Sequence, residues 1–159
     1  MNRPNLKNPV HLLAFGFGSG LAPKAPGTVG TLAAVPLYLL LAPLPLAAYL
    51  LAVVLIALAG IWICGRTSRD LGVHDHGGIV WDEFAGFLVT MTAVPLAWPW
   101  VVAGFLLFRL FDILKPWPIG WLDERVAGGL GIMLDDLLAG LYAWGCLQLL
   151  LWILPLAGR

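Results

Sequence analysis

Long apolar runs, separated by short turns that contain proline or charged residues, make up most of the chain. Five runs stand out, at residues 28–42, 46–63, 79–94, 101–114 and 132–154. A bilayer core about 30 Å thick requires roughly 20 apolar residues for one helical crossing. The pattern therefore predicts an all-α, polytopic membrane helix bundle of about five apolar segments. The run at 28–42 is short for a full crossing, which leaves the span count open by one.

The composition agrees with an integral membrane protein. Hydrophobic residues make up 60% of the sequence and charged residues 11%, with a mean hydropathy of +0.90, whereas soluble domains contain about 25% charged residues. The 159 residues fit one domain, 1–159, embedded in the bilayer. Lys and Arg are scattered and the net charge is zero, which argues against nucleic-acid binding. Monomer and oligomer both stay open.

The distribution of Lys and Arg along the chain predicts an orientation. The turns near Pro43 and Pro95 contain no positive charge, and eight of the nine positive residues fall in the other polar regions or, for Arg109, in the last turns of the fourth run. These eight are Arg3, Lys7, Lys24, Arg66, Arg69, Arg109, Lys115 and Arg125. Because positive loops stay on the cytoplasmic side, we expect the N-terminus and these regions to be cytoplasmic.

The acidic residues gather at the same predicted face. All nine lie between Asp70 and Asp136, and several fall at the ends of apolar runs. The acids at run ends are Asp82, Glu83, Asp112, Asp135 and Asp136. An ionised carboxylate at the bilayer centre costs about 2.5–3.5 kcal/mol, so a bound cation is expected to offset the cost. Magnesium prefers such oxygen ligands; the alternative is pairing of these acids with Arg109 and Lys115.

Three cations are candidates for binding a phosphate group. Arg109 and Lys115 flank Asp112 at the end of the fourth run, where they could hold an anion against a metal. Lys24 lies in the glycine-rich stretch 16–31, whose main-chain N–H groups lead into a helix start. The alternatives are membrane anchoring for Arg109 and Lys115 and a flexible surface loop for the glycine-rich stretch.

His74, Asp75 and His76 form a second set of candidate metal ligands or catalytic groups. The alternative is a solvated turn. Three further acids are expected to be solvated surface charges: Asp70, Asp123 and Glu124.

Four motifs together resemble the phosphatidylglycerophosphatase A family of membrane lipid phosphatases. They are GFGSGLAPKAPGTVG at 16–30, GVHDHGGIVWDEFAG at 72–86, FRLFDILKPWPI at 108–119 and GGLGIMLDDLLAG at 128–140. They cover roughly a third of the residues and are spread over nearly the whole chain.

The resemblance implies a magnesium-dependent enzyme that hydrolyses phosphatidylglycerophosphate to phosphatidylglycerol and inorganic phosphate at the cytoplasmic face of a bacterial inner membrane. It implies Mg²⁺ ligands at Asp82, Glu83, Asp135 and Asp136, with Asp112 completing the site or orienting a nucleophile. The catalytic set is then Asp82, Glu83, Asp112 and Asp136, and the phosphate-binding set is Lys24, Arg109 and Lys115. Water and a carboxylate both stay open as the nucleophile.

Two other functions are compatible with clustered acids in an apolar chain. A small cation transporter would spread its acids along a path through the membrane, whereas these are confined to one predicted face. A CDP-alcohol phosphatidyltransferase would carry the pattern DGxxAR followed by GxxxDxxxD, which this sequence lacks.

Overall fold

A computed structural model describes residues 4–154, and this part of the chain is helical with no β-strand. A short helix α1 (Pro9–Ala14) and a 3₁₀ segment (Gly16–Leu21) precede the remaining helices. These are α2 (Pro26–Leu41), α3 (Leu46–Leu71), α4 (Trp81–Thr90), α5 (Trp98–Leu114), the short α6 (Ile119–Arg125) and α7 (Gly128–Ile153). The all-α prediction is confirmed.

The five predicted apolar segments correspond to α2, α3, α4, α5 and α7, but only α3 and α7 are long and apolar enough to cross a membrane. The expectation of about five crossing segments is therefore wrong by these criteria. At 1.5 Å per residue, the 10 residues of α4 extend only about 15 Å. Nine of those 10 residues are buried, because α4 packs against α2, α3 and α7. An apolar run can thus be a core helix rather than a span.

Helix ends also differ from the predicted boundaries. The second run was expected to end at residue 63 before a polar loop, but α3 continues to Leu71, where Gly72 adopts φ 71° and ends the helix. Only a residue without a Cβ adopts this left-handed conformation at little cost. The stretch between the fourth and fifth predicted runs contains α6. The helix α7 starts at Gly128, four residues before the predicted run at 132–154.

The outer surface of α3 is apolar. Leu51, Leu55, Leu58 and Trp62 follow one another at spacings of four, three and four residues, and each is 57–60% exposed. This spacing places them on one face of the helix. Buried residues of α3, such as Val53 and Ile63, pack toward the interior. The helix therefore presents a continuous apolar stripe outward, which soluble surfaces rarely do.

Candidate active site

The first part of the site is the start of α4. Asp82 and Glu83 lie in its first turn, where the partial positive charge of the helix N-terminus favours carboxylates. Both residues are only 8% exposed. One oxygen of each, Asp82 Oδ1 and Glu83 Oε2, has no hydrogen-bond partner among the described residues. Buried, unpartnered carboxylate oxygens are costly and call for a ligand.

The second part is α7, which contributes Asp135 and Asp136. The sequence placed these acids in the first turns of their segment, but the helix starts at Gly128 and they lie about two turns inside it. They are 6% and 2% exposed, and Asp135 Oδ1 and Asp136 Oδ2 lack hydrogen-bond partners in the described chain. The pair is therefore inside the protein rather than at a helix end.

Two glycines bring these acid pairs together. Gly86 follows Asp82 by four residues on α4, and Gly140 follows Asp136 by four residues on α7, so each lies one turn beyond an acid on the same face. A Cβ on Gly140 would overlap the carbonyl oxygen of Gly86. Thr90 adds a hydrogen bond of 3.0 Å from its hydroxyl to that carbonyl. The absent side chains let α4 and α7 approach closely.

The third part is the end of α5. The Arg109 guanidinium is ion-paired with Asp112, three residues on, and its NH1 atom lies 3.6 Å from Glu83 Oε1. Lys115 follows the last turn of α5, and its ammonium donates to Asp135 Oδ2 at 2.7 Å and to Asp123 Oδ2 at 2.8 Å. Burial lowers the pKa of Lys115, but the hydrogen bonds to Asp123 and Asp135 and the negative charges of these two carboxylates together raise the pKa by more, so Lys115 stays charged at neutral pH.

Two groups of carboxylates have oxygen atoms close enough to share a cation. Asp82, Glu83 and Asp136 form one group, and Asp112, Asp135 and Asp136 form the other, with the oxygens of each group within 4.8 Å of one another. Asp136 belongs to both. An all-oxygen donor set is what magnesium prefers, and the unpartnered oxygens named above belong to these groups. The residues present thus fit Mg²⁺.

The histidine-containing loop lies outside both groups. His74 Nε2 accepts a hydrogen bond of 3.1 Å from the Gly128 N–H at the start of α7, which leaves Nδ1 as the protonated nitrogen in the neutral ring. It also borders a cavity of about 810 Å³ between α3 and α7. His76 Nδ1 accepts from the Gly78 N–H at 3.0 Å, and Asp75 is exposed. In this structure the two histidines support the turn rather than the carboxylate cluster.

Of the predicted phosphate-binding cations, Arg109 and Lys115 contact the cluster, whereas Lys24 is exposed before α2 and forms no ion pair among the described residues. Two acids expected to be solvated have partners. Asp123 pairs with Lys115, and Asp70 pairs with Arg66 at 3.1 Å and with His11 at 3.3 Å. Glu124 is exposed, as expected.

Sequence reasoning missed the packing roles of Gly86 and Gly140 and the contact of Asp123 with Lys115. The glycines could have been noticed in the sequence, because each stands four residues after an acid. The contact of Asp123 with Lys115 could not be predicted from the sequence, since it requires α6 to fold back beside the end of α5.

The fold and the site define a class: an all-helical protein with an apolar outer surface and a buried carboxylate cluster between three helices. The family model of phosphatidylglycerophosphatase A matches residues 12–151. The chain belongs to the phosphatidylglycerophosphatase A family and is an enzyme of the phosphatase class.

Individual relatives support the family assignment. The chain is 52% identical over 147 residues to phosphatidylglycerophosphatase A of Escherichia coli K12, covering 92% of this chain and 86% of that one. It is 51% identical over 145 residues to phosphatidylglycerophosphatase A of Haemophilus influenzae, covering 90% and 89%. It is 41% identical over 165 residues to a candidate phosphatidylinositol-3-phosphatase of Bacteroides thetaiotaomicron, covering 97% and 99%. No solved structure matches significantly. These findings do not favour the transporter or the CDP-alcohol phosphatidyltransferase alternatives.

Proposed function

We propose that this protein is a magnesium-dependent lipid phosphatase that hydrolyses phosphatidylglycerophosphate to phosphatidylglycerol and inorganic phosphate. The names of two relatives that are more than 50% identical support the substrate. The observation that carries the metal dependence is the pair of carboxylate groups that share Asp136. Five acids converge there with two cations, the combination that a phosphate monoester requires: a metal site for its negative charge and donors for its oxygens.

The metal ligands are the acids of the two groups. Asp82 and Glu83 would hold one Mg²⁺ ion, Asp112 and Asp135 would hold a second, and Asp136 would be available to both. The metal would supply positive charge that offsets the negative charge of the phosphate. Asp112 can also orient the nucleophile, besides binding the metal. Its ion pair with Arg109 fixes the orientation of its carboxylate next to the proposed phosphate position.

Hydrolysis forms one bond to phosphorus and breaks another. An oxygen nucleophile attacks phosphorus, and the bond between phosphorus and the glycerol oxygen breaks. When the nucleophile is water, a buried carboxylate of the cluster accepts its proton as a general base and returns that proton to the leaving glycerol oxygen. Arg109 donates to the phosphate oxygens, where charge-assisted hydrogen bonds are strongest. Lys115 neutralises Asp135 and limits the negative charge that the substrate meets.

The lipid part of the substrate stays in the bilayer in this proposal. The apolar stripe of α3 at Leu51, Leu55, Leu58 and Trp62 supports contact with acyl chains. The tails then reach the site laterally between helices. In this proposal the site faces the cytoplasm from a bacterial inner membrane, and the absence of Lys and Arg from the turns near Pro43 and Pro95 supports that orientation.

The central experiment measures inorganic phosphate released from phosphatidylglycerophosphate by purified protein in detergent. We expect release with Mg²⁺, no release with EDTA, and recovery when Mg²⁺ is added in excess. The Escherichia coli relative, assayed in parallel, is the positive control. No release by this protein under conditions in which that relative works would overturn the proposal.

The same assay distinguishes the substrate class. Phosphatidylinositol 3-phosphate tests the activity named for the third relative, and glycerol 3-phosphate tests whether the acyl chains matter. We expect phosphatidylglycerophosphate to give the highest kcat/KM. A preference for either other compound would contradict the proposed substrate.

A further inference from the structure

The start of α2 lies at the carboxylate cluster without the usual cap. Its N-cap residue, Ala25, has φ 47° and ψ 57° and provides no side-chain hydrogen bond. Pro26 follows and has no N–H group. The Val29 N–H bonds to the Ala25 carbonyl at 3.2 Å. Within the described chain, the main-chain N–H groups of Gly27 and Thr28 are left without a hydrogen-bond partner.

Gly27 lies in close contact with the side chains of Glu83 and Arg109. A Cβ at this position would overlap Glu83 Oε1 and would lie 3.1 Å from both terminal nitrogens of Arg109. The absence of a side chain is therefore what lets the helix start approach the carboxylate and the guanidinium. Thr31, one turn later, donates to the Gly27 carbonyl at 2.9 Å and helps to fix the first turn.

A second observation points to a ligand at this place. Glu83 is more than nine-tenths buried and its Oε2 atom has no hydrogen-bond partner in the described chain, which calls for a cation, whereas the buried Nε atom of Arg109 also has no partner there, which calls for an anion. The free N–H groups, the guanidinium and the carboxylates form an arrangement that suits an anion on one side and a cation on the other. The partial positive charge of the helix start attracts the anion.

We propose that the N–H groups of Gly27 and Thr28, together with Arg109, bind the phosphoryl group of the substrate. The inference rests on the proposed function and adds a main-chain subsite that replaces Lys24 in the predicted phosphate-binding set. Because Glu83 and Asp112 both lie at Arg109, the subsite accepts a phosphate dianion only when Mg²⁺ offsets the carboxylate charge. Phosphate binding should therefore require Mg²⁺.

The test uses inorganic phosphate and the purified full chain in detergent, with binding measured by calorimetry at fixed Mg²⁺. Thr28→Pro removes one N–H group in the first turn of α2, where no intrahelical hydrogen bond is lost, and Thr28→Ala keeps that group while removing the same hydroxyl. We expect Thr28→Pro to weaken phosphate binding about tenfold or more, which is the loss of a hydrogen bond to a charged group, and Thr28→Ala, which keeps the N–H group, to bind phosphate at least about tenfold more tightly than Thr28→Pro. Gly27→Ala should weaken binding as well, with Gly77→Ala as a glycine control in open space.

Equal phosphate affinity in wild type, Thr28→Pro and Gly27→Ala would overturn the subsite. Should the variants not fold, amide proton shifts of Gly27 and Thr28 in the wild-type protein provide the second measurement. We expect these shifts to move on adding phosphate with Mg²⁺, and unchanged shifts would overturn the subsite. A wild-type protein that binds phosphate in this way but releases none from phosphatidylglycerophosphate would instead refute the proposed function alone.

Discussion

Gly86 of α4 lies directly against the main chain of Asp136 of α7: a Cβ at Gly86 would be 2.6 Å from the Asp136 carbonyl oxygen. Asp136 is also the carboxylate that both candidate metal-binding groups share. The position of the most central acid is therefore set by a residue that has no functional group. This contact makes the geometry of the site dependent on the packing of α4 against α7.

Gly86→Ala should therefore disturb both stability and the site. The added methyl group would also meet the Phe108 ring, so α4 has little room to move. Overpacking of this kind costs about 1–3 kcal/mol, and we expect a lower melting temperature in detergent and weaker Mg²⁺ binding. The matched control is Gly145→Ala on α7, where a Cβ meets nothing within 4 Å. Equal melting temperatures for the two variants would contradict the packing argument.

Asp136→Asn should abolish turnover. The substitution keeps the size of the side chain but removes charge from both proposed Mg²⁺ positions, and loss of an outer-shell partner alone costs 10–100-fold, so we expect a loss of more than about 100-fold. Phosphate release measures activity, and the shift in melting temperature on adding Mg²⁺ measures binding. Asp70→Asn, which affects an acid paired with Arg66, is the control and should stay active. Near-normal activity of Asp136→Asn would remove this residue from the metal shell.

Lys115 should matter through Asp135 rather than through Asp123. The Asp135 side chain is 8% exposed, so Lys115→Met leaves a buried carboxylate without its cation. Asp123 is 37% exposed, and such surface pairs contribute at most about 1 kcal/mol. We expect kcat/KM to fall at least about tenfold in Lys115→Met, and to change little in Asp123→Asn. A larger loss in Asp123→Asn than in Lys115→Met would refute this assignment.

The apolar stripe of α3 should contact lipid. With Cys64 and Cys146 replaced by alanine, spin labels are attached at Leu51→Cys and Leu55→Cys. Their relaxation should be strongly enhanced by oxygen, which partitions into the bilayer, and only weakly by a water-soluble nickel complex. Arg66→Cys, near the polar end of the same helix, should show the reverse. Strong relaxation enhancement by the nickel complex at Leu55→Cys would show that this face is exposed to water.

The loop between α3 and α4 should lie on the cytoplasmic side. In the same cysteine-free background, Gly77→Cys is expected to react with a membrane-impermeant maleimide only after spheroplasts are lysed. Leu44→Cys lies in the turn between α2 and α3, is 42% exposed, and is expected to react in intact spheroplasts. The opposite labelling pattern would reverse the proposed orientation.

The sequence alone determined the all-α class of structure and predicted the chemistry of the candidate site. Apolar runs of helical length predict helices. Acids in those runs need a nearby positive charge, because burying a carboxylate in an apolar medium is costly wherever the helices lie. The motifs also identified the family. The inferences of a helical fold and of the family succeed because they depend on composition, local spacing and short segments, which folding does not alter; the chemistry of the candidate site stays a prediction.

Only the tertiary structure decided which apolar runs are long helices and how the acids are grouped. The apolar character of α4 comes from burial among other helices, and hydropathy does not distinguish a protein interior from a bilayer. The sharing of Asp136 between two groups, the contact of Gly27 with Glu83 and the pairing of Lys115 with Asp135 join residues that are far apart in sequence. Such contacts follow from the approach of helix backbones at glycines, and that approach is a property of packed helices rather than of any one segment.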